Sequence, residues 1–213
     1  MMKELYIIGS GGFGREVAWL VERVNQVNPL WNLVGFIDDN PNTWGLECNG
    51  YKVLGGTEIL SSLNREVWVV CAVGAAKTRK MIIDKINNLH HVKFATLVDP
   101  SVISSDRVKL GEGTIICAGT ILTVNIQIGK HVIVNLDCTL GHDDIIEDYV
   151  TVYPSVNISG NVNVGELTEL GTGSKIIQGV NISRNVILGA GAVVSKSLQE
   201  PGTYVGVPVR RLG

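Results

Sequence analysis

The sequence lacks the features that mark membrane, secreted and nucleic-acid-binding proteins. No apolar run approaches the roughly 20 residues of a membrane span, and the apolar stretch at the N-terminus is too short for a signal peptide. The four cysteines form no C-x-x-C pair. The 18 basic residues are balanced by 20 acidic ones, and the basic residues form no dense stripe of the kind that binds nucleic acid. We therefore expect a cytoplasmic protein with reduced thiols that neither inserts into a membrane nor binds nucleic acid.

Histidine and proline are also scarce, whereas glycine is abundant. Only four histidines and six prolines occur among 213 residues. Zinc sites need three or more convergent His or Cys ligands, so we expect no metal site. The 25 glycines exceed the roughly 7% of average proteins and indicate many tight turns.

The first part of the chain alternates strand-like and helix-like segments. Short apolar runs predict strands, and apolar residues at helical spacing predict helices between them. The predicted strands cover 5–8, 33–37 and 67–73, and the predicted helices follow residue 14, cover 77–89, and form one turn at 57–60 with Thr57 as N-cap. Residues 40–56 are predicted to be loop. This alternation favours an α/β domain with a parallel sheet over residues 1–96.

From residue 97 to 213 the pattern changes to a repeat of six residues followed by a tail. Beginning at Val98, sixteen of seventeen first positions are Val, Ile or Leu, and the register holds through Gln199 without an insertion. The fifth position is mostly small or β-branched. A six-residue period sustained over this length is typical of a parallel β-helix, in which equivalent residues of successive 18-residue coils stack into inner columns.

A glycine-rich turn follows the first predicted strand and precedes a helix. Gly9-x-Gly11-x-x-Gly14 has the context of a nucleotide-binding fingerprint, because glycines permit close backbone approach and a helix N-terminus favours phosphate. Asp38 and Asp39 end the next strand, where a carboxylate binds ribose. The domain is too short for a complete dinucleotide site, so one nucleotide is predicted; a turn used only for packing is the alternative.

His142 is the histidine most suited to catalysis. It lies at a third repeat position, outside both inner columns, and Gly160 lies one coil further on. We expect that glycine to leave a gap for an acyl group. Asp143 is placed to accept a hydrogen bond from the imidazole and raise its basicity. Asp144 puts a carboxylate at an inward position, a departure from the pattern that tends to mark functional sites; a solvated acidic corner is the alternative.

The whole pattern resembles bacterial sugar acyltransferases that join a small Rossmann-like domain to a hexapeptide-repeat left-handed β-helix. This family includes sialic-acid O-acyltransferases and N-acetyltransferases of nucleotide-linked amino sugars. The motifs that carry the resemblance are Ile8-Gly9-Ser10-Gly11-Gly12-Phe13-Gly14, Phe36-Ile37-Asp38-Asp39, Gly74, Asp99-Pro100-Ser101, Gly141-His142-Asp143 and Val205-Gly206-Val207-Pro208.

The resemblance implies an acetyl-CoA-dependent transferase for surface glycan biosynthesis. It makes His142 the base and Asp143 the residue that enhances its basicity. It implies nucleotide-sugar contacts at Gly11, Gly12, Phe13, Asp38, Asp39 and Gly74. It implies acetyl-CoA contacts at Thr151, Thr172 and Ala190, between β-helices of a homotrimer. We expect Gly160 to be a further acetyl-CoA contact, where a backbone N–H stabilises the oxyanion. Many relatives have histidine at the positions of Phe13 and Thr151.

The sequence does not distinguish an amine from a hydroxyl as the group that accepts the acetyl. N-acetylation of a nucleotide-linked amino sugar is the preferred interpretation, and O-acetylation of a sialic acid is the alternative. A metal-dependent enzyme such as a γ-type carbonic anhydrase and a non-catalytic nucleotide-sugar scaffold represent other classes. Arg210 and Arg211 in the tail could hold a CoA phosphate or lie in solvent.

Overall fold

The computed structural model describes residues 2–212. The chain divides between Pro100 and Ser101 into two compact units. The division falls slightly after residue 96, because the buried Asp99 is tied to the first unit by two bonds from Arg23, Nε to Oδ2 at 2.6 Å and Nη2 to Oδ1 at 3.0 Å.

The first unit contains a four-stranded parallel sheet in the order β2-β1-β5-β6. The small parallel sheet and its helices confirm the α/β prediction. The strands and α-helices between residues 1 and 100 are, in chain order, β1 (Lys3–Ile8), α1 (Gly12–Val27), β2 (Trp31–Ile37), β3 (Glu47–Cys48), β4 (Tyr51–Lys52), β5 (Val67–Cys71), α2 (Ala76–Ile86), β6 (Val92–Phe94) and β7 (Leu97–Val98).

Close packing of α1 on the sheet explains one glycine of the fingerprint. A Cβ on Gly14 would lie 2.0 Å from the carbonyl oxygen of Gly9. Gly9 itself has a φ of +99°, which a residue with a side chain rarely adopts. The turn therefore requires both glycines for its own geometry, whereas a Cβ on Gly11 would meet nothing within 4 Å.

The predicted loop at 40–56 contains structure of its own. It holds a 3₁₀ helix at Pro41–Thr43 and the antiparallel hairpin of β3 and β4. Thr57 is not an N-cap, because it is the first residue of a 3₁₀ helix, Thr57–Ser62, that follows Gly56. The carboxylate of Asp39 accepts a hydrogen bond from the Thr57 N–H at 2.8 Å instead, a distant contact that local sequence does not reveal.

The second unit is a β-helix built from three sheets of short strands, which confirms the repeat. Strands one coil apart pair in parallel with an offset of 18 residues, as Ile133 with Thr151. The strands are β8 (Ile103–Ser104), β9 (Lys109–Leu110), β10 (Ile115–Ile116), β11 (Ile121–Leu122), β12 (Gln127–Ile128), β13 (Ile133–Val134), β14 (Thr139–Leu140), β15 (Ile145–Ile146), β16 (Thr151–Val152), β17 (Asn157–Ile158), β18 (Asn163–Val164), β19 (Glu169–Leu170), β20 (Lys175–Ile176), β21 (Asn181–Ile182), β22 (Val186–Leu188), β23 (Val193–Val194), β24 (Gly202–Val205) and β25 (Arg210–Arg211).

The two inner columns are those expected from the repeat. Every first-position residue from Ile116 to Val194 is buried, as is every fifth-position residue from Thr114 to Leu198. The fourth position has a positive φ in every repeat from Gly113 to Gly191. These left-handed residues make the sharp corners at which each coil changes sheet, and they position side chains at the third and fourth positions outside the core.

Candidate functional site

A His–Asp pair projects from one corner of the β-helix. Asp143 occupies the left-handed fourth position with a φ of +62°, and His142 precedes it. The Nδ1 atom of His142 lies 2.8 Å from Oδ2 of Asp143. Both side chains are about half exposed. The turn therefore presents a paired imidazole at the surface, where an acceptor can reach it.

The pair defines which imidazole nitrogen is free to accept a proton. Hydrogen bonds from His142 and from Asn125, whose Nδ2 donates to Oδ1 at 3.1 Å, hold the pKa of the Asp143 carboxyl below its usual value. An ionised carboxylate only accepts hydrogen bonds, so Nδ1 of His142 carries the proton. In the neutral imidazole Nε2 is then the proton acceptor, as general-base chemistry requires.

Gly160 lies directly beside this acceptor nitrogen. A Cβ on Gly160 would be 2.4 Å from Nε2 of His142, so the imidazole itself fills the space that we expected to be an open gap. No backbone carbonyl among residues 2–212 accepts a hydrogen bond from the Gly160 N–H. Gly160 is itself buried, and its lack of a side chain allows close approach of the base.

Asp144 points inward and is completely buried. Its Oδ1 accepts a hydrogen bond from the Val162 N–H at 2.9 Å. Burial raises the pKa of this carboxyl to about 7, although hydrogen bonds from the N–H groups of Val162 and Gly141 oppose the shift. The inward carboxyl that broke the repeat is therefore held in part by the coil that carries Gly160.

A polar cleft adjoins the pair on the outer surface. It has a volume of about 290 Å³. The lining residues are Asp143, Ile145, Asn161, Val162, Asn163, Gly179 and Asn181. Amide groups supply both donors and acceptors, so the cleft can hold a polar ligand beside Asp143.

In the first unit, Asp38 organises the glycine-rich turn. Its Oδ2 accepts hydrogen bonds from the backbone N–H of Ser10 at 2.9 Å and from the Ser10 hydroxyl at 2.6 Å. Partial burial raises the pKa of Asp38, but these bonds and one from the Asn40 N–H outweigh it, so the pKa is lowered. Asp38 is an ionised anchor for the turn, in addition to any contact it makes with a ribose.

Asp39 faces a neighbouring cavity of about 320 Å³. Its Oδ2 accepts a hydrogen bond from Nζ of Lys85 at 3.0 Å. Although burial raises the pKa of Asp39, the bonds from Thr57 and Lys85 lower it overall. The cavity is lined by Ile8, Gly9, Asp38, Asp39, Val73, Thr78, Met81, Ile82 and Lys85. These residues come from the carboxyl ends of β1, β2 and β5 and from α2.

The other residues predicted to contact the nucleotide sugar lie around the same turn. Gly11 and Gly12 are exposed and Phe13 is partly exposed, at a helix N-terminus that has no acidic residue in its first turn. Gly74 follows β5, and its carbonyl oxygen accepts a hydrogen bond from Arg79 at 2.9 Å. An unneutralised helix N-terminus attracts phosphate.

Of the residues predicted to contact acetyl-CoA, Gly160 shares a corner with His142, whereas Thr151, Thr172 and Ala190 do not. Thr172 and Ala190 are one coil apart and exposed, at the corner that precedes β20 and β23. His142 and Gly160 occupy the corner that follows β14 and β17. Thr151, in β16, is fully buried, so its side chain offers a ligand no surface in the described chain.

Besides the Thr57 N–H bond to Asp39, three side-chain contacts at these sites were missed by sequence reasoning. Ser10, Lys85 and Asn125 bind the carboxylates of Asp38, Asp39 and Asp143 respectively. Asn125 has a usable signal, because it lies 18 residues before Asp143 and therefore one coil away. Ser10 and Lys85 have none, since their partners lie far apart in sequence.

Residues 2–212 contain neither a candidate metal centre nor a candidate membrane-spanning helix. No group of three or more His, Cys, Asp or Glu side chains in this part of the chain is arranged to hold a metal ion. No helix among the same residues is long and apolar enough to cross a membrane.

Comparison with known proteins gives consistent matches along the whole chain. Residues 4–86 match the PglD N-terminal domain family. The GDP-perosamine N-acetyltransferase of Escherichia coli O157:H7 is 30% identical over 186 residues, which cover 87% of this chain and 82% of that protein.

Solved structures extend the similarity to three dimensions. The acetyltransferase domain of PglB from Neisseria gonorrhoeae FA1090, in complex with acetyl coenzyme A, has a TM-score of 0.90 and 28% identity, with complete coverage of both chains. A histidine mutant of perosamine N-acetyltransferase from Caulobacter crescentus, in complex with CoA and GDP-perosamine, has a TM-score of 0.89 and 26% identity, and covers 100% of this chain and 98% of that one.

Proposed function

The chain belongs to the acetyltransferase family that includes the GDP-perosamine N-acetyltransferase of Escherichia coli O157:H7, and from that membership we propose that it N-acetylates a nucleotide-linked amino sugar for surface glycan biosynthesis. It is an acetyltransferase and takes its acetyl group from acetyl-CoA. One observation supports the chemistry above all: Nδ1 of His142 is bound to Asp143, while Nε2 faces Gly160.

The pair supports direct transfer of the acetyl group. The sugar amine attacks the thioester carbonyl carbon of acetyl-CoA as Nε2 of His142 takes the amine proton. The Gly160 N–H stabilises the oxyanion of the tetrahedral intermediate. The C–S bond then breaks, the new amide remains on the sugar, and His142 returns the proton to the departing sulfur. The negative charge on Asp143 stabilises the imidazolium that forms between the two steps.

The nucleotide is proposed to bind the first unit. We infer a Rossmann-like arrangement there, because the strand order β2-β1-β5-β6 reverses at β1, and ligands of open parallel sheets bind at such a switch point. The cavity beside Asp39 and the bare helix N-terminus at Gly11, Gly12 and Phe13 lie at this end of the strands. Phosphate would accept hydrogen bonds from that N-terminus, and the cavity would take the rest of the nucleotide.

Acetyl-CoA is proposed to bind between copies of the chain. The left-handed sense of the coil and the homotrimer are inferred from the family resemblance. Thr172 and Ala190 precede β20 and β23, whereas His142 follows β14 of the same sheet, so within one chain the cofactor residues and the base lie at opposite ends of its strands. If the corner of one copy that carries His142 packs against the corner of the next copy that carries Thr172 and Ala190, the base and the cofactor residues come together. The exposed Ile103 and Ile121 of the same sheet supply apolar contact for this association. Thr151 is fully buried, and its N–H already donates to the Thr168 carbonyl, so we leave it out of this proposed site.

A coupled assay tests the function. The purified protein is incubated with acetyl-CoA, a thiol reagent and a panel of GDP- and UDP-linked amino sugars, with His142→Ala as the control. We expect CoA release that depends on one amino sugar and on His142, with an amide product by mass spectrometry. CoA release with sialic acid and none with amino sugars would instead establish the O-acetyltransferase.

The remaining alternatives are separated by two further measurements. Stoichiometric metal in the purified protein, together with a loss of activity on chelation, would favour a metal-dependent enzyme. Binding of a nucleotide sugar without any acetyl transfer would favour a scaffold. The expected cytoplasmic location stays a prediction.

A further inference from the structure

The buried carboxyl of Asp144 occupies a place that threonine hydroxyls fill elsewhere in the β-helix. Thr114 is at the same repeat position on another corner, where its Oγ1 accepts a hydrogen bond from the Val132 N–H at 3.1 Å and donates one to the Gly129 carbonyl at 2.8 Å. Thr168 repeats both bonds three coils further on, at 3.2 and 3.0 Å. In each case one side chain ties its own coil to the next.

Asp144 makes the first of these bonds in the same register. The Val162 N–H, 18 residues on, donates to Oδ1 at 2.9 Å, just as Val132 donates to Thr114. The equivalent of Gly129 is the carbonyl of Ser159, 15 residues on. A threonine hydroxyl carries a proton for that carbonyl, whereas an ionised carboxylate has none, and Oδ2 of Asp144 is buried without a hydrogen-bond partner.

Burial favours the protonated form of the Asp144 carboxyl, which carries the O–H donor that the carboxylate lacks. The carboxyl is fully buried, and its pKa is raised to about 7, so the neutral form with one O–H donor is favoured below neutral pH. The side chains that act on this carboxyl through their charge are His142 and Asp143, both in its own turn. Residues 124–126 and 159–162, on the coils either side, contain no titratable side chain, so no further charge holds the carboxyl ionised.

Two hydrogen bonds of this kind at Asp144 would act as a clamp between two segments, and these are the segments that carry the proposed chemistry. His142 and Asp143 precede Asp144 directly, and Gly160 lies between Ser159 and Val162. One backbone bond already links them, from the Asn161 N–H to the His142 carbonyl at 2.7 Å. We propose that Asp144, in its neutral form, is a positioning residue for acetyl transfer, because it clamps the turn that carries His142 to the turn that carries Gly160. This inference rests on the proposed function of His142.

The test replaces the carboxyl with side chains that can or cannot make both bonds. Asp144→Val removes them and fits a column in which Ile126 and Val162 are already aliphatic. We expect its kcat to fall by roughly 10- to 100-fold, since small misplacement of reacting groups is costly, with KM for both substrates nearly unchanged. Asp144→Asn and Asp144→Thr, which can donate and accept, should restore most of kcat.

Thr114→Val is the matched control, because it removes the same pair of bonds at another corner. It should lower thermal stability as Asp144→Val does but leave kcat unchanged. Hydrogen exchange followed by mass spectrometry should show faster exchange over residues 159–162 in Asp144→Val, and over residues 129–132 in Thr114→Val. This readout is independent of activity, so it tests the clamp even if the wild-type chain transfers no acetyl group and the proposed function fails.

The pH dependence of stability provides a second readout. A folded-state pKa raised from 3.8 to about 7 means that the folded chain keeps a proton that the unfolded chain loses, so stability falls as pH rises through this interval. Asp144→Asn should remove this part of the fall. The proposal is overturned if Asp144→Val keeps wild-type kcat and exchange, or if the Asn and Thr variants are as slow as the Val variant.

Discussion

At the scale of single residues, His142 can be changed without disturbing the core. Its side chain is 51% exposed and lies outside the inner columns. We expect His142→Ala to lower turnover by roughly 10²–10⁴, the usual contribution of a general base, while thermal stability and acetyl-CoA affinity stay close to wild type. Steady-state kinetics and thermal melting check this.

The exposed His90 provides the control, since His90→Ala removes an imidazole from the first unit and should leave turnover unchanged. Near-normal turnover of His142→Ala on its true acceptor would show that the chemistry lies elsewhere.

Asp143 has a counterpart in Asp148, an aspartate on the corner that carries neither His142 nor Thr172, where its Oδ1 accepts a hydrogen bond from the Lys130 N–H at 2.7 Å. Asp143→Asn keeps the shape but removes the charge that stabilises the imidazolium, so kcat should fall, though less than in His142→Ala. Asp148→Asn makes the same chemical change at that third corner and should not alter kcat. Equal kcat values for the two variants would argue against a role for the His142–Asp143 pair.

Gly160 is required by the imidazole beside it rather than by its own backbone. A Cβ would lie 2.4 Å from Nε2 of His142, so Gly160→Ala should displace the ring and lower kcat. In a His142→Ala background the same substitution has no ring to displace, so its effect on kcat and on stability should largely vanish. A double-mutant cycle measures this coupling, and additive effects would refute it.

At the scale of elements, the ends of β1 and β2 are joined by the bonds from Ser10 to Asp38. Asp38→Ala removes both bonds, so the glycine-rich turn should loosen and the Kd for the nucleotide sugar should rise by roughly tenfold or more. Ser10→Ala removes only the hydroxyl bond and should have a smaller effect. Acetyl-CoA affinity should not change in either.

Calorimetry with each ligand makes the comparison. Asp84, an exposed partner of Lys80 on α2, supplies the control variant Asp84→Ala, which should bind both ligands as the wild type does. A larger loss for acetyl-CoA than for the nucleotide sugar would remove the nucleotide role of the first unit.

At the scale of the whole molecule, the separation of His142 from Ala190 predicts complementation between copies. His142→Ala removes the base, and Ala190→Trp blocks the cofactor corner, so each variant alone should be inactive. Mixed trimers contain interfaces at which both intact corners meet, about a quarter of all sites for random assortment of equal amounts. Co-refolding followed by activity assay and light scattering tests this. A stable, fully active monomer, or no recovery on mixing, would contradict a shared site.

The sequence by itself determined the architecture of the second unit and the place of its chemistry. A six-residue period repeats one local rule, so it predicts that Ile116, Val134 and Val152 stack in a column. The same arithmetic put Gly160 one coil from His142 and identified Asp144 as inward. In the first unit the alternation of strands and helices predicted the parallel sheet, because strand and helix periods are local properties of the chain.

Only the tertiary structure decided which partners the charged side chains take. The Asp39 carboxylate accepts hydrogen bonds from Thr57 and Lys85, and no local pattern in the sequence marks either partner. The imidazole of His142 fills the space beside Gly160 that the repeat suggested was open. Hydrogen-bond partners and side-chain directions depend on distances between segments remote in sequence, whereas the repeat encodes only which residues share a column.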